Sequence, residues 1–179
     1  MTRNTSPVYE ARYGWDPKTI RVAVVCLFFA AALLLPDMPL PARILGLPLF
    51  GGGGLFMAFV AMSRKVAFRV DETGVLLGGS PARYKATTTH VPWQDITGFV
   101  LWRQSIGAVS YVGVTRREGA PALPGDGPAS RVVLGILTPV SPDTVMSSRA
   151  ITGWRFDRDQ LVAAVAHFAP GTPLRDDRS

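Results

Sequence analysis

The chain has 179 residues, of which 47% are hydrophobic and 18% charged, and its formal net charge is +6. It contains one cysteine, Cys26, and two histidines, which excludes a disulfide framework and any Cys/His spacing typical of a zinc site. The basic residues are scattered along the sequence rather than clustered, so the charge does not predict a nucleic-acid-binding surface. We therefore expect neither a metal nor another cofactor, and no nucleic-acid partner.

A tail at residues 1–19 precedes the first apolar segment, "IRVAVVCLFFAAALLLP", at residues 20–36. Within it, residues 22–35 are free of both charge and proline, a length that suits a short membrane helix or the apolar part of a signal peptide. The following "PDMPLPAR" is a poor cleavage site, and a second apolar segment begins at once. We interpret the segment as a transmembrane helix, with a cleaved leader on a secreted domain as the alternative.

The second apolar segment, residues 43–63, has no charge between Ile44 and Met62. As a helix this stretch would be about 28 Å long, close to the thickness of the hydrocarbon core. Its "GGGG" run lacks the Lys and Ser/Thr of a phosphate loop and the polar flanks of a flexible linker. Small residues let membrane helices approach closely, so we predict an antiparallel transmembrane hairpin with the glycines at the helix contact.

Basic residues around these two segments predict the orientation in the membrane. The turn between them has only Arg43. The two flanks carry the others, namely Arg3, Arg12, Lys18, Arg21, Arg64, Lys65 and Arg69. Because such residues collect on the cytoplasmic side of short loops, we predict a multi-pass protein of the inner (plasma) membrane with both termini cytoplasmic.

After residue 63 the hydrophobic pattern changes to a period of two. Val66, Phe68 and Val70 alternate with polar or small residues, and "DETG" then interrupts the run, which predicts strand, turn and strand. Further strands are predicted at residues 84–91, 96–103, 110–116 and 131–137, with a seventh candidate at 151–155. The glycine- and proline-rich "EGAPALPGDGPAS" is predicted to be an exposed loop, and residues 138–150 are left open as loop, helix or binding surface.

The stretch "FDRDQLVAAVAHFAPG" predicts a terminal helix. Asp157 is the expected N-cap, with Gln160 as its capping-box partner and Phe156 placed to pack against Leu161. The apolar residues Leu161, Ala164, Val165 and Phe168 share one face, which should lie on a sheet. Residues 173–179 are expected to be a flexible tail.

The pieces "FRVDETGVLLG", "VPWQDITGFVLWR" and "GWRFDRDQLVAAVAHFAPG" resemble small membrane-anchored proteins with a PH-like (pleckstrin-homology-like) domain from bacteria with GC-rich genomes. The resemblance covers residues 64–172 and extends to the preceding hairpin. It implies an α+β fold in which the transmembrane hairpin is followed by a strongly bent antiparallel β-barrel capped by the terminal helix. The family supplies no catalytic residues.

The functional prediction that follows is binding. In "SPARYKA", Arg83 and Lys85 lie in or beside a loop between strands, and Arg64 and Lys65 follow the second apolar segment. A basic residue near an anionic membrane surface contributes about 1 kcal/mol, so these four residues are candidates for contacting anionic lipid headgroups, although solvated positive charge would look the same.

We expect a non-enzymatic membrane protein that binds lipid headgroups or a protein partner. The alternative is a membrane-anchored enzyme or accessory subunit with an unrecognised active site, because His90 or His167 could pair with a serine and an aspartate. No GxSxG turn supports that alternative.

Overall fold

The computed structural model describes residues 7–104, 109–124 and 140–177. The chain divides into two compact units, and each is considered by itself. The strand unit comprises Met1–Arg12, Lys65–Ile151 and Phe156–Ser179, and the helical unit comprises Tyr13–Arg64 and Thr152–Arg155.

The helical unit contains α1 (Pro17–Ala32), α2 (Leu40–Gly46), a π-helical turn (Leu47–Gly52) and α3 (Gly53–Met62). Helix α1 begins where sequence rules place a start, since the Asp16 side chain accepts a hydrogen bond from the Thr19 N–H at 2.8 Å and proline occupies the first helical position. It ends before Pro36, which disfavours helical backbone at the residue before it.

The predicted two-helix transmembrane hairpin is wrong. Only the continuous helical stretch Leu40–Met62, of 23 residues, is long and apolar enough to cross a membrane among the residues that the structure describes. Helix α1 has 16 residues and stops at Ala32 instead of continuing to residue 36. The predicted localisation is wrong for the same reason, because a multi-pass protein with both termini cytoplasmic needs a second helix of spanning length.

The glycine run lies across the π-helical turn and the start of α3. Pro48 removes one backbone donor and the glycines have low helix propensity, so the regular α-helical bonding is weakest where the π-helical turn lies. Gly54 lies against α1, where an added Cβ atom would be 3.2 Å from Cys26 Cβ, whereas Gly51, Gly52 and Gly53 have nothing within 4 Å of that position. The predicted glycine contact therefore holds for Gly54 and not for the other three.

The strand unit has one sheet made of β1 (Tyr9–Arg12), β2 (Val66–Asp71), β3 (Gly74–Leu77) and β4 (Thr89–Pro92). The strands follow this order and every pair is antiparallel. The predicted strand, turn and strand at β2 and β3 is confirmed, and Gly74, the first residue of β3 after the turn, has a φ of 144°, which favours glycine.

The second sheet contains β5 (Ile96–Arg103), β6 (Ser110–Arg116), β7 (Ser148–Ala150) and β8 (Leu174–Asp177) in the order β7-β6-β5-β8. Strands β5 and β6 have the bounds that the sequence predicts. Strand β8 runs parallel to β5, and it lies in the segment that we expected to be a flexible tail.

The predicted closed barrel is also wrong, because the described residues form two separate four-stranded sheets, each with two edge strands, in a mixed α+β fold. Residues 84–91 are not one strand, since Tyr84–Thr87 form a short helix, α4, before β4. Ile151–Arg155 contribute only an isolated bridge between Trp154 and Tyr13. The predicted strand at 131–137 lies outside the described residues.

Residues 140–150, which the sequence left open, contain α5 (Pro142–Met146) and β7. The terminal helix α6 (Arg158–Phe168) is confirmed, and Asp157 caps it by accepting a hydrogen bond from the Gln160 N–H at 3.0 Å. It buries Leu161, Ala164 and Val165 and contacts β1 and β2. The two sheets bury the largest side chains of the core, which are Phe68, Leu77, Phe99, Leu101 and Trp102.

Candidate functional site

Residues 78–88, between β3 and β4, form a segment that we call the basic loop because it carries Arg83 and Lys85. It contains a 3₁₀ turn at Pro81–Arg83 followed by α4. Threonine hydroxyls hold its backbone, since Thr87 Oγ1 donates to the Arg83 carbonyl at 2.9 Å and Thr88 Oγ1 donates to the Tyr84 carbonyl at 2.7 Å. Such local side-chain bonds compete with strand pairing, which explains why this segment is not part of a strand.

Arg83 and Lys85 are both exposed. Among the described residues neither side chain forms an ion pair or a hydrogen bond to a side chain. Their charges therefore project from a loop whose backbone is held in place, which is the arrangement that a headgroup contact needs.

Lys65 reaches the same loop. Its Nζ donates a hydrogen bond to the Pro81 carbonyl at 2.8 Å and lies 5.3 Å from the centre of the Tyr84 ring, within the range of a cation–π interaction. The Tyr84 hydroxyl donates to the Val66 carbonyl at 2.9 Å. Lys65 thus anchors the basic loop to the start of β2 in addition to contributing charge.

Arg64 has a different role. Its φ of 48° is the only positive value for a non-glycine residue among those described, and it directly follows Ser63, the C-cap of α3. A left-handed residue at this position is the usual way to end a helix, and glycine is normally preferred there. The backbone of Arg64 therefore turns the chain out of α3 toward β2.

Of the four residues predicted to form a site, Arg83 and Lys85 lie on the basic loop and Lys65 contacts it through Pro81 and Tyr84. Arg64 belongs to the helical unit. Sequence reasoning missed Tyr84, whose only signal is an aromatic residue between two basic ones in "RYK".

A cavity of about 310 Å³ adjoins the basic loop, and its lining includes Ser80, Thr87, Thr89, Val145 and Arg149. The Arg149 guanidinium donates to the carbonyls of Gly78 at 2.6 Å, Thr87 at 3.2 Å and Leu77 at 3.3 Å. These bonds fix the Arg149 side chain in the cavity wall, and neither Arg83 nor Lys85 lines this cavity.

The helical unit exposes large apolar side chains on both of its arms. Leu27 and Phe28 on α1 are 72% and 69% exposed, and Leu45 and Leu55 on the second arm are 75% and 74% exposed. Monomeric soluble proteins rarely show apolar patches of this extent, and such patches mark membrane or protein contacts.

A hydroxyl, a carboxylate and an imidazole meet near the turn between β2 and β3. Thr73 Oγ1 donates to Asp71 Oδ1 at 2.6 Å and lies 3.0 Å from His90 Nε2. Because the hydroxyl proton goes to Asp71, His90 is the donor in the second bond and cannot take that proton. Burial alone would raise the pKa of Asp71, but the hydrogen bonds from Thr73 and the charges of Arg69 and His90 hold this pKa below its ordinary value.

Within the part of the chain that the structure describes, no group of three or more His, Cys, Asp or Glu side chains is arranged to hold a metal ion.

Comparison of the chain with protein-family models, with curated proteins and with solved structures gave no match. The resemblance to membrane-anchored PH-like proteins therefore rests on the sequence pieces that suggested it.

Proposed function

We propose that this chain is a non-enzymatic, membrane-attached binding protein, in which the helical unit contacts lipid acyl chains and the basic loop binds anionic lipid headgroups. The observation that carries the proposal is the exposed apolar surface of the helical unit, which includes the one described helix long and apolar enough to cross a membrane. Each square ångström of such surface removed from water is worth about 25 cal/mol, so lipid contact is strongly favoured.

The basic loop is linked to the end of α3 through Lys65. Only Ser63 and Arg64 separate the end of α3 from Lys65, and the Lys65 ammonium is bonded to Pro81 at the start of the loop. This short connection in the chain is what supports assigning Arg83 and Lys85 to the headgroups of the membrane that the helical unit contacts. Anionic headgroups match these two charges, and neutral headgroups do not.

The test measures how strongly the full-length protein prefers anionic vesicles. Protein diluted from detergent is mixed with vesicles of phosphatidylcholine alone or with vesicles containing phosphatidylglycerol, and the bound fraction is read by flotation. Replacing both residues (Arg83→Gln with Lys85→Gln) should reduce the ratio of anionic to neutral partitioning by about thirtyfold, from about 1 kcal/mol per charge. High salt should reduce the same ratio.

The control is the double variant Arg103→Gln with Arg175→Gln, which removes two exposed charges from the second sheet. It should keep the preference of the wild type for anionic vesicles. If both double variants lose the preference equally, net charge rather than the basic loop is responsible. If neither loses it, the loop does not bind headgroups, and a protein partner becomes the better explanation for its charges.

A further inference from the structure

The two ends of the helical hairpin, residues 13–64, connect to neighbouring strands of one sheet. Strand β1 precedes the hairpin and β2 follows it, and the two pair antiparallel with Arg12 opposite Val66. Residues that pair in a sheet must lie on the same side of a membrane. The hairpin therefore cannot cross a bilayer an odd number of times, even though Leu40–Met62 has the length for one crossing.

Contacts between the arms determine how deep the hairpin can reach. Gly54 lies against Cys26, the Phe29 and Phe50 rings stack with centroids 5.0 Å apart, and Gly46 lies against Leu33. The arms are thus paired along the charge-free part of α1, residues 22–32, which rises about 16 Å as a helix. A hydrocarbon core is about 30 Å thick, so the tip falls short of the opposite headgroups when Arg21 is at the near ones.

The turn at the tip has its backbone polar groups largely paired, as a lipid environment requires. The Arg43 guanidinium donates to the carbonyls of Leu35 and Pro36. Three residues of the turn, Pro36, Pro39 and Pro41, have no N–H to satisfy. Further backbone bonds run from the Met38 N–H to the Leu35 carbonyl and from the Ala42 and Arg43 N–H groups to the Pro39 carbonyl.

The distribution of charged residues also fits a hairpin whose base lies at the membrane surface and whose tip lies in the lipid. Between Val22 and Ser63 the only charged residues are Asp37 and Arg43, both at the tip and of opposite sign. The base has Lys18 and Arg21 on one arm and Arg64 beyond the other, while the nearby Asp16 carboxylate is used as the cap of α1. The base thus suits an anionic surface and the tip has no net charge.

We infer that the hairpin is a re-entrant membrane insert, which enters the bilayer and leaves it through the same face without crossing, with residues 33–43 as a tip that stops inside the hydrocarbon. This inference rests on the proposed membrane attachment and adds the side of entry and the depth. The partner that covers the two arms is a lipid bilayer, since both arms are apolar without a polar face and the base is positively charged.

The experiment places single cysteines in the full-length protein after Cys26→Ala. Met38→Cys reports on the tip and Glu72→Cys, in the exposed turn between β2 and β3, is the matched control. The protein is reconstituted in sealed vesicles containing phosphatidylglycerol, and a membrane-impermeant maleimide is supplied either outside or trapped inside. We expect residue 38 to be labelled at least about tenfold less than residue 72 by either supply, and fully once detergent is added.

Because reconstitution places molecules in both orientations, residue 72 should be reached partly from each side. If residue 38 is labelled to a similar extent as residue 72 on vesicles that still float with the protein, the tip is in water, either across the bilayer or outside the lipid, and the inference is overturned. The same labelling without flotation would overturn the proposed function as well.

A second measurement covers the case in which the Met38→Cys protein folds poorly. A small fluorophore on residue 34, introduced by Leu34→Cys at another exposed tip position, is quenched by lipids brominated at different depths. Re-entry predicts the strongest quenching by bromines in the acyl chains. Strongest quenching by headgroup quenchers would contradict it.

Discussion

At the scale of single residues, Tyr9 is the clearest case of a group whose ionisation the fold opposes. It is 3% exposed, its ring lies 6.3 Å from that of Phe68, and its hydroxyl accepts a hydrogen bond from the Asp157 N–H at 3.3 Å. Burial, with a smaller contribution from the Asp157 carboxylate, raises the pKa of Tyr9 to about 12 from 10.0. The neutral phenol is therefore favoured in the folded protein.

The sign of the pH dependence follows from this shift. Because the folded pKa is above the unfolded one, the contribution of Tyr9 to stability is fully present below pH 10 and is lost as the pH rises from 10 to about 12. We predict that the unfolding free energy of Tyr9→Phe falls less between pH 10 and about 12 than that of the wild type. The difference between the two decreases should reach about 2 kcal/mol. At pH 7 the substitution should cost about 1 kcal/mol, from the lost hydrogen bond.

The measurement is urea unfolding of the full-length protein in detergent at pH 7, 10 and 11.5. Phenolate absorbance provides an independent check, since Tyr9→Phe should remove the last of the tyrosines to ionise. If the variant instead removes a tyrosine that ionises near pH 10, the phenol is not buried as described.

At the scale of elements, Gly54 provides a test of the contact between α1 and α3. Gly53 and Gly54 are adjacent in α3, so valine at either position changes helix propensity equally. Only at Gly54 would the new side chain meet Cys26, whereas Gly53 has open space. We predict that Gly54→Val destabilises the helical unit by about 1–3 kcal/mol relative to Gly53→Val.

Thermal loss of the helical circular dichroism signal in detergent measures this difference. Equal melting temperatures for the two variants would show that the helices do not approach at Gly54. The comparison needs no assumption about the membrane, since both proteins are studied in the same detergent.

The elements that the sequence predicted correctly are those with strong local signals. Strands β5 and β6 have long apolar runs, and α6 begins at Asp157 with a capping side chain. Strands β1 and β8 have four residues each and pair with strands distant in sequence, so the local hydrophobic pattern does not predict them. The hairpin prediction failed in its length, because the stop of α1 at Ala32 depends on the compact turn that follows.

The candidate site likewise contains residues that the local sequence predicts and contacts between distant residues that it does not predict. Arg83 and Lys85 could be predicted from charge beside a turn, which is a local property. The bond from Lys65 to Pro81 and the Tyr84 ring beneath it join residues 16 or more positions apart, and such contacts depend on how β2 and β4 are arranged around β3.

At the scale of the whole molecule, Arg149 joins the two sheets of the strand unit. It lies on β7 in the second sheet, and its guanidinium donates to three carbonyls at the end of β3 and in the basic loop: those of Leu77, Gly78 and Thr87. A single side chain of the second sheet thus bonds to three backbone carbonyls outside that sheet, and it holds the basic loop against the second sheet.

We predict that Arg149→Met, which keeps the length of the side chain and removes its donors, lowers the unfolding free energy by about 2–3 kcal/mol because those carbonyls lose their partners. Arg149→Lys should cost less, since an ammonium retains some of the donors without the planar geometry. The control Arg175→Met, on the exposed edge strand β8, should stay within about 0.5 kcal/mol of the wild type. Urea unfolding followed by tryptophan fluorescence ranks the three variants.

If Arg149→Met and Arg175→Met unfold at the same urea concentration, the two sheets are held together by their apolar faces alone. The basic loop would then be expected to keep its headgroup preference without Arg149, which the flotation measurement on Arg149→Met decides directly.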